Sequence, residues 1–447
     1  MYRKHREALL ETLAKTRTAA IVPTARHQVR NHDCEYRFRP GSDFWYLTGF
    51  GEPESVLVLL PDGVADADAE APKVRSVLFL RERDPKMETW TGRRLGVERA
   101  PAQLGVDEAR DVEELWKELP KLLKGYERIL YRTGIDEPFD RQVMEVVARL
   151  RGMARGGVLP PVELVDPAPT LHEQRLFKSE EELAVMRRAA EITTEAHRAA
   201  MATARPGMHE YEIDALLDYR FRRRGSTGQA YTSIVAGGAN ACVLHYVEND
   251  APLKDGDLLL IDAGAEVEYY ASDVTRTFPV NGRFSEAQRE VYELVLESQL
   301  AAIAQARPGV THKSVHEAAL DVLVRGMLRL GWLEGTEESV KEDESYRRFF
   351  MHGTSHWLGL DVHDCGAYAA GEESRKLEPG MVFTVEPGLY VEADDNSVDE
   401  RWRGIGVRIE DDVLVTPEGH EVLTADIPKS VEEVEAACQA EELAPIA

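Results

Sequence analysis

Through residues 1–165 short apolar runs alternate with stretches in which apolar residues return every three or four positions. Thr18 to Val22, Ser55 to Leu60, Ser76 to Leu80 and Arg128 to Tyr131 have the length and pattern of strands, and Asp111 to Leu119 and Asp140 to Leu150 those of helices. This alternation predicts an α/β amino-terminal domain. Gly157 to Thr170, GVLPPVELVDPAPT, is dense in proline and reads as a linker. A second domain is expected over residues 171–447. Ser179 and Glu182 form a capping box that predicts a long helix through about Met201, and Ser430 with Glu433 predicts a terminal helix over the acidic segment Val431 to Leu443.

Within the second domain the pattern repeats. Ala204 to Met208 (ARPGM) is echoed by Ala306 to Val310 (ARPGV), each closing one helical stretch and preceding another. Gly256 to Asp262 (GDLLLID) is echoed by Gly380 to Glu386 (GMVFTVE), with the acidic residue six positions after glycine in both. The shared order, a helix pair followed by acid-bearing strands, predicts an α+β domain built from two similar halves.

The acidic residues that end these apolar runs point to chemistry as well as fold. In a strand Leu258, Leu260 and Asp262 share one face, as do Val382, Thr384 and Glu386, and Arg408 shares a face with Glu410 opposite Ile405, Val407 and Ile409. Asp273 follows Asp262 by eleven positions in LLLIDAGAEVEYYASDVTRTF. A carboxylate at the end of an apolar face is expected to be buried, and an unpaired buried carboxylate costs several kcal/mol, so it needs a cation or a proton. Arg408 alone cannot balance four carboxylates; two divalent ions would. Between the two acid pairs lies HGTSHWLGLDVHD, which puts His352, His356 and His363 into one short stretch. The expectation is a two-metal site held between the two halves.

Composition removes other classes. A formal net charge of −26 disfavours nucleic acid and anionic membrane as partners, since both are bound chiefly through Lys and Arg. Cys34, Cys242, Cys365 and Cys438 lie far apart with no Cys-x-x-Cys pair, so neither a disulfide framework nor a zinc ribbon is indicated. No run approaches the ~18 apolar residues of a membrane helix, and a soluble cytoplasmic protein is the default.

These motifs resemble the aminopeptidase P and prolidase group of the pita-bread metallopeptidases. Asp262, Asp273, His356, Glu386 and Glu410 fill the family's five ligand positions in order, FWYLTGF (Phe44 to Phe50) is similar to its non-catalytic first domain, and SHWLGLDVHD and ETWTGRRLG (Glu88 to Gly96) are most similar to the bacterial aminopeptidase P branch. The resemblance implies a pita-bread catalytic domain in which Asp262 chelates one metal, Asp273 and Glu410 bridge both, and His356 with Glu386 completes the other. Manganese(II) is the family expectation, and the oxygen-rich set would also accept Co(II) or Zn(II).

Several roles follow from the same resemblance. It makes Glu386 the proton shuttle, His363 and His245 active-site residues that contact substrate, and His352 and Arg408 supports for the ligands. The reaction it implies is hydrolysis of the bond between an amino-terminal residue and a following proline, with the free amine near the metals and Asp262. Two alternatives stand beside it, a prolidase restricted to Xaa-Pro dipeptides and a non-catalytic binding module on the same fold. Trp90 in METWTGRRLG is read either as core or, from the resemblance, as a residue that reaches a neighbour's substrate crevice in a homo-oligomer, a tetramer or dimer, with Arg93 and Arg94 facing acidic surface there. His197, His209, His312, His316 and His420 carry no motif and read as structural.

Overall fold

The computed structural model describes residues 1–64 and 74–440. Its chain divides into two compact units, Met1–Arg175 and Leu176–Ala447.

The first unit is built on a six-stranded mixed sheet. Its strands are β1 (Thr18–Pro23), β2 (Val56–Val64), β3 (Val74–Leu80), β4 (Glu108–Asp111), β5 (Arg128–Leu130) and β6 (Glu163–Val165), in the order β4-β3-β2-β1-β5-β6. β1 runs antiparallel to β2, with Ala20 opposite Leu59, and parallel to β5, with Ala19 opposite Ile129. Helix α1 (Tyr2–Ala14) precedes the sheet, α2 (Pro85–Thr91) follows β3, and α3 (Leu115–Leu122) and α4 (Glu137–Gly152) close a core of Val58, Phe79, Leu119 and Val146. Two sequence-based boundaries move. The helix expected from Asp111 starts later, because Asp111 ends β4 and its carboxylate caps the following turn by accepting the Glu113 amide at 3.1 Å. The proline-dense stretch is more than a linker, because Glu163–Val165 pairs parallel to β5 as an edge strand, where a run of three residues lacks the length to register as a strand in sequence.

The second unit carries the duplication. Helices α5 (Glu180–Thr203) and α6 (Glu210–Arg223) lead into the antiparallel strands β7 (Ile234–Gly237), β8 (Leu258–Asp262) and β9 (Thr275–Pro279). Then α7 (Glu286–Ile303) and α8 (His312–Arg329) lead into β10 (Val382–Val385), β11 (Gly388–Tyr390), β12 (Gly406–Arg408), β13 (Asp411–Thr416) and β14 (Gly419–Val422). β10, β13 and β14 form one antiparallel sheet, and β11 with β12 forms a ribbon. Both predicted capping boxes are present, Ser179 with Glu182 and Ser430 with Glu433. The second opens α9 (Val431–Cys438); the end of the predicted segment, at Leu443, lies outside the described residues. Among the described residues no helix is long and apolar enough to cross a membrane.

Candidate metal centre

Asp262 is the last residue of β8 and faces Thr275 of β9 across the antiparallel pair. The connection between them doubles back on itself. The Ala263 amide donates to the Val274 carbonyl at 3.0 Å and the Ser272 amide to that of Ala265 at 3.1 Å. Gly264 is required here, since a Cβ on it would stand 1.7 Å from the Ser272 carbonyl oxygen. This close approach sets Asp273 beside Asp262, and the Tyr231 hydroxyl lies 2.6 Å from Oδ1 of Asp262 and 2.5 Å from Oδ1 of Asp273.

The second half supplies the rest. His352 to Trp357 runs irregularly beside β10, where Thr384 N donates to His356 O at 2.9 Å and Glu386 N to Thr354 O at 2.8 Å. Glu386 thereby stands just past the end of β10. Glu410 stands between β12 and β13, with its amide donating to Thr275 O of the first half at 3.0 Å and its Oε2 accepting from Thr275 Oγ1 at 2.7 Å. His356 Nε2 is 3.3 Å from Asp273 Oδ2 and 3.5 Å from Glu386 Oε1. Its Nδ1 lies 3.1 Å from the Trp357 carbonyl, which fixes the proton on Nδ1 and leaves Nε2 to face the carboxylates.

Arg408 ties the parts together. Its Nη2 donates to Asp262 Oδ2 at 2.6 Å, its Nε to Thr275 Oγ1 at 3.0 Å and its Nη1 to the Tyr390 hydroxyl at 3.1 Å. Tyr390 in turn donates to His352 Nε2 at 2.8 Å, while His352 Nδ1 donates to the Gly353 carbonyl at 2.7 Å.

The electrostatics are those of a site short of positive charge. Burial pushes the Glu386 carboxyl up to about 7, with Asp273 and Asp262 adding to that push against His356 and Arg408. Burial and then the charges of Asp273, Glu386 and Asp262 hold Glu410 well above the usual carboxylate range, and burial also raises Asp262 in spite of Arg408. For His356 burial acts to lower the value, but its hydrogen bond to Asp273 and the charges of Asp273 and Glu386 outweigh it and raise the imidazole to about 9. His352 is lowered to about 4 by burial and the charge of Arg408. Tyr231 has one hydroxyl proton for two carboxylate oxygens, so it can donate to only one of the two Oδ1 atoms it touches.

Cations fit this donor set. Asp273, His356 and Glu410 each turn one ligand atom into a group whose members lie within 4.8 Å of one another, Glu386 flanks His356, and Asp262 is joined to Asp273 through Tyr231. The five expected ligands, with His245, His352, His363 and Arg408, line one cavity of about 460 Å³. His245 and His363 are exposed at its rim, the His363 ring standing edge-on to that of His356 at 4.3 Å between centroids. Ile234, Leu244, Val247 and Val362 supply an apolar wall. Trp90 belongs to the first unit, on α2, and is 85% exposed, which excludes the core reading.

Sequence reasoning missed other residues here. Tyr231 and Tyr390 sit in stretches with no pattern that marks them. Asp412 had a signal, an acidic run inside IEDDVLV: by strand alternation Asp412 turns with Glu410 and accepts from Ser272 Oγ at 2.8 Å and Asp273 N at 3.1 Å. Asp411 points the other way to Arg276 and Lys429, each at 2.7 Å. His312 and His316, read as structural, stand behind the His352 loop, with His316 Nδ1 2.8 Å from Thr354 Oγ1 and His312 Nε2 2.9 Å from Ser355 Oγ.

The chain is similar to known proteins over nearly its whole length. The model of metallopeptidase family M24 matches residues 184–417, and that of the aminopeptidase P N-terminal domain matches residues 2–138. The Xaa-Pro aminopeptidase of Escherichia coli K12 is 46% identical over 435 residues, covering 97% of this chain and 96% of its own. Human Xaa-Pro aminopeptidase 3 is 35% identical over 432 residues, covering 94% and 80%. The structure of Pseudomonas aeruginosa aminopeptidase PepP superimposes with a TM-score of 0.93 at 49% identity over 98% of this chain and 97% of that one. An Escherichia coli aminopeptidase P variant in complex with substrate gives 0.91 at 46%, over 98% and 97%.

Proposed function

Because the chain belongs to metallopeptidase family M24 and carries the aminopeptidase P amino-terminal domain, we propose that it removes the amino-terminal residue from peptides whose second residue is proline. It is a metallo-aminopeptidase with a pita-bread catalytic domain. The observation that carries the reading is the single cavity in which four carboxylates and one imidazole meet an apolar wall rimmed by two further histidines.

Asp262, Asp273, His356, Glu386 and Glu410 are the residues we assign to hold two divalent cations. When bound, such cations polarise the scissile carbonyl and acidify a water to serve as nucleophile. Glu386, on the cavity wall, takes the proton from that water and returns it to the leaving proline nitrogen. His363 and His245, free to reach into the cavity from its rim, donate to the carbonyl oxygen as charge gathers there. Arg408 aims Asp262 and opposes the upward push of burial on it, and through Tyr390 it holds His352 fixed. The apolar wall suits a proline ring, which carries no amide hydrogen and fixes φ, and the site is expected to take the trans peptide.

Finer features have separate support. Four carboxylates and one imidazole make a hard donor set that suits manganese(II), with Co(II) or Zn(II) also accepted. Free cysteines, Cys34 exposed among them, suit the reducing cytoplasm. An indole as exposed as Trp90 is the kind of surface that subunit contacts cover, which supports a homo-oligomer, a tetramer or dimer, with Trp90 at a neighbour's crevice. The decisive assay compares Xaa-Pro-Yaa, Xaa-Pro and amine-blocked peptides with defined metal. Tripeptides should be cleaved fastest, blocked peptides hardly at all, and chelator should abolish turnover until Mn(II) is returned. A preference for dipeptides would move the assignment to prolidase, and full activity in protein shown free of metal by elemental analysis would overturn the two-metal chemistry.

A further inference from the structure

We infer that Glu210 is a positioning residue that anchors the 237–251 segment and so holds His245 at the rim of the substrate cavity. Glu210 is the first residue of α6 and is 0% exposed. A carboxylate is an expensive group to bury, and no Lys or Arg pairs with it among the described residues. Its charge is met instead by four donors, all from one stretch of chain. Oε1 accepts from Gly237 N at 2.7 Å and Asn240 Nδ2 at 3.0 Å, and Oε2 accepts from Ala251 N at 2.8 Å and the Tyr246 hydroxyl at 2.7 Å.

Those donors mark both ends of the segment and the residue next to His245. Apart from one short turn of 3-10 helix, Gly238–Cys242, the segment beyond Gly237 has no regular structure of its own to fix its path. His245 has no side-chain hydrogen bond among the described residues, so its backbone sets where the imidazole stands. An anion accepts from backbone amides more strongly than a neutral side chain does, which is the physical reason for a buried carboxylate at this point. Gly237 fits the same account, because a Cβ there would stand 2.8 Å from Leu253 Cδ2 and 3.3 Å from Glu210 Oε1. Leu244 and Val247, on the apolar wall, ride on the same anchored segment.

The inference rests on the reading of His245 as a substrate-contacting residue, and the experiment separates the two. Steady-state kinetics on an Xaa-Pro-Yaa peptide are compared for the Mn(II)-loaded wild type, Glu210→Ala, His245→Ala and the double variant, with metal content checked in each. Glu210→Ala should lower kcat/KM by up to about 10²-fold, the loss that a misplacement near 1 Å can cause. It should keep its metal, reproduce the split between kcat and KM seen in His245→Ala, and add little in the His245→Ala background. Tyr246→Phe, which removes one donor and nothing else, should show a smaller loss with the same dependence on His245, and it decides the matter should Glu210→Ala fail to fold. Losses that recur in full in the His245→Ala background would overturn the inference alone. Wild-type kinetics in His245→Ala would overturn the reading of His245 and the inference with it.

Discussion

Removing the cations should leave a protein whose stability falls as pH rises from about 5 to about 9. In the metal-free site Glu386 holds its proton up to about 7 against an ordinary 4.5, and His356 holds one up to about 9 against 6.5. In both windows the folded chain keeps a proton that the unfolded chain has released, so stability declines with pH. The share due to Glu386 is complete below 4.5 and lost as pH passes 7; that of His356 is complete below 6.5 and lost as pH passes 9. At about 1.36 kcal/mol for each pH unit of displacement, either group is worth roughly 3 kcal/mol. With His356 Nε2 3.5 Å from Glu386 Oε1 the two are not independent, and their sum falls short of twice that value. Cations must expel these protons to bind, so Mn(II) affinity should climb across the same range. Calorimetry at pH 7 in two buffers of different ionisation enthalpy should count at least one proton released. Thermal melts of metal-free wild type and Glu386→Gln should diverge in slope between pH 5 and 7. Zero proton release, or identical slopes, would refute the reasoning.

Asp262→Asn and Glu410→Gln keep the shape of their side chains but remove charge from the donor set; both should cut turnover by orders of magnitude with an unchanged far-ultraviolet dichroism spectrum, and near-wild-type turnover in either would show that the wrong carboxylates were chosen. Trp90→Ala should move the melting temperature by an amount worth less than about 0.5 kcal/mol, as expected of an exposed residue, while raising KM for longer peptides; a fully active monomer by light scattering would remove the assembly reading. Burial pushes Asp411 up, but Arg276 and Lys429 hold it at about 2; Arg276→Met takes away one of those two cations from a buried network, the cost should approach about 3 kcal/mol by urea unfolding, and a loss under about 1 kcal/mol would mean that Lys429, Gln299 and Thr424 suffice without it.

Much of the molecule was legible because its signals are local. A capping box needs only Ser179 and Glu182, and an apolar run that ends in an acid marks Asp262 without knowledge of what lies opposite. Pairing across the two halves was not legible in the same way. That Thr275 would join Arg408 to Glu410, or that Tyr231 would stand between Asp262 and Asp273, depends on a fold-back allowed by Gly264 and on register between distant strands. Neither leaves a period in the sequence. Glu163–Val165 was hidden for the opposite reason, since an edge strand of three residues owes its place to β5 rather than to its own composition.

The hydrogen bonds between Glu410 and Thr275 also tie the site to the order in which the chain is made. As the chain leaves the ribosome, Asp262 and Asp273 emerge long before Glu386 and Glu410, and the early pair has neither Arg408 nor the imidazole of His356 to complete it. Two carboxylates sharing one phenol are only part of the donor set. The set of five is therefore complete only once the stretch that carries Glu410 has been made and has met Thr275 of β9.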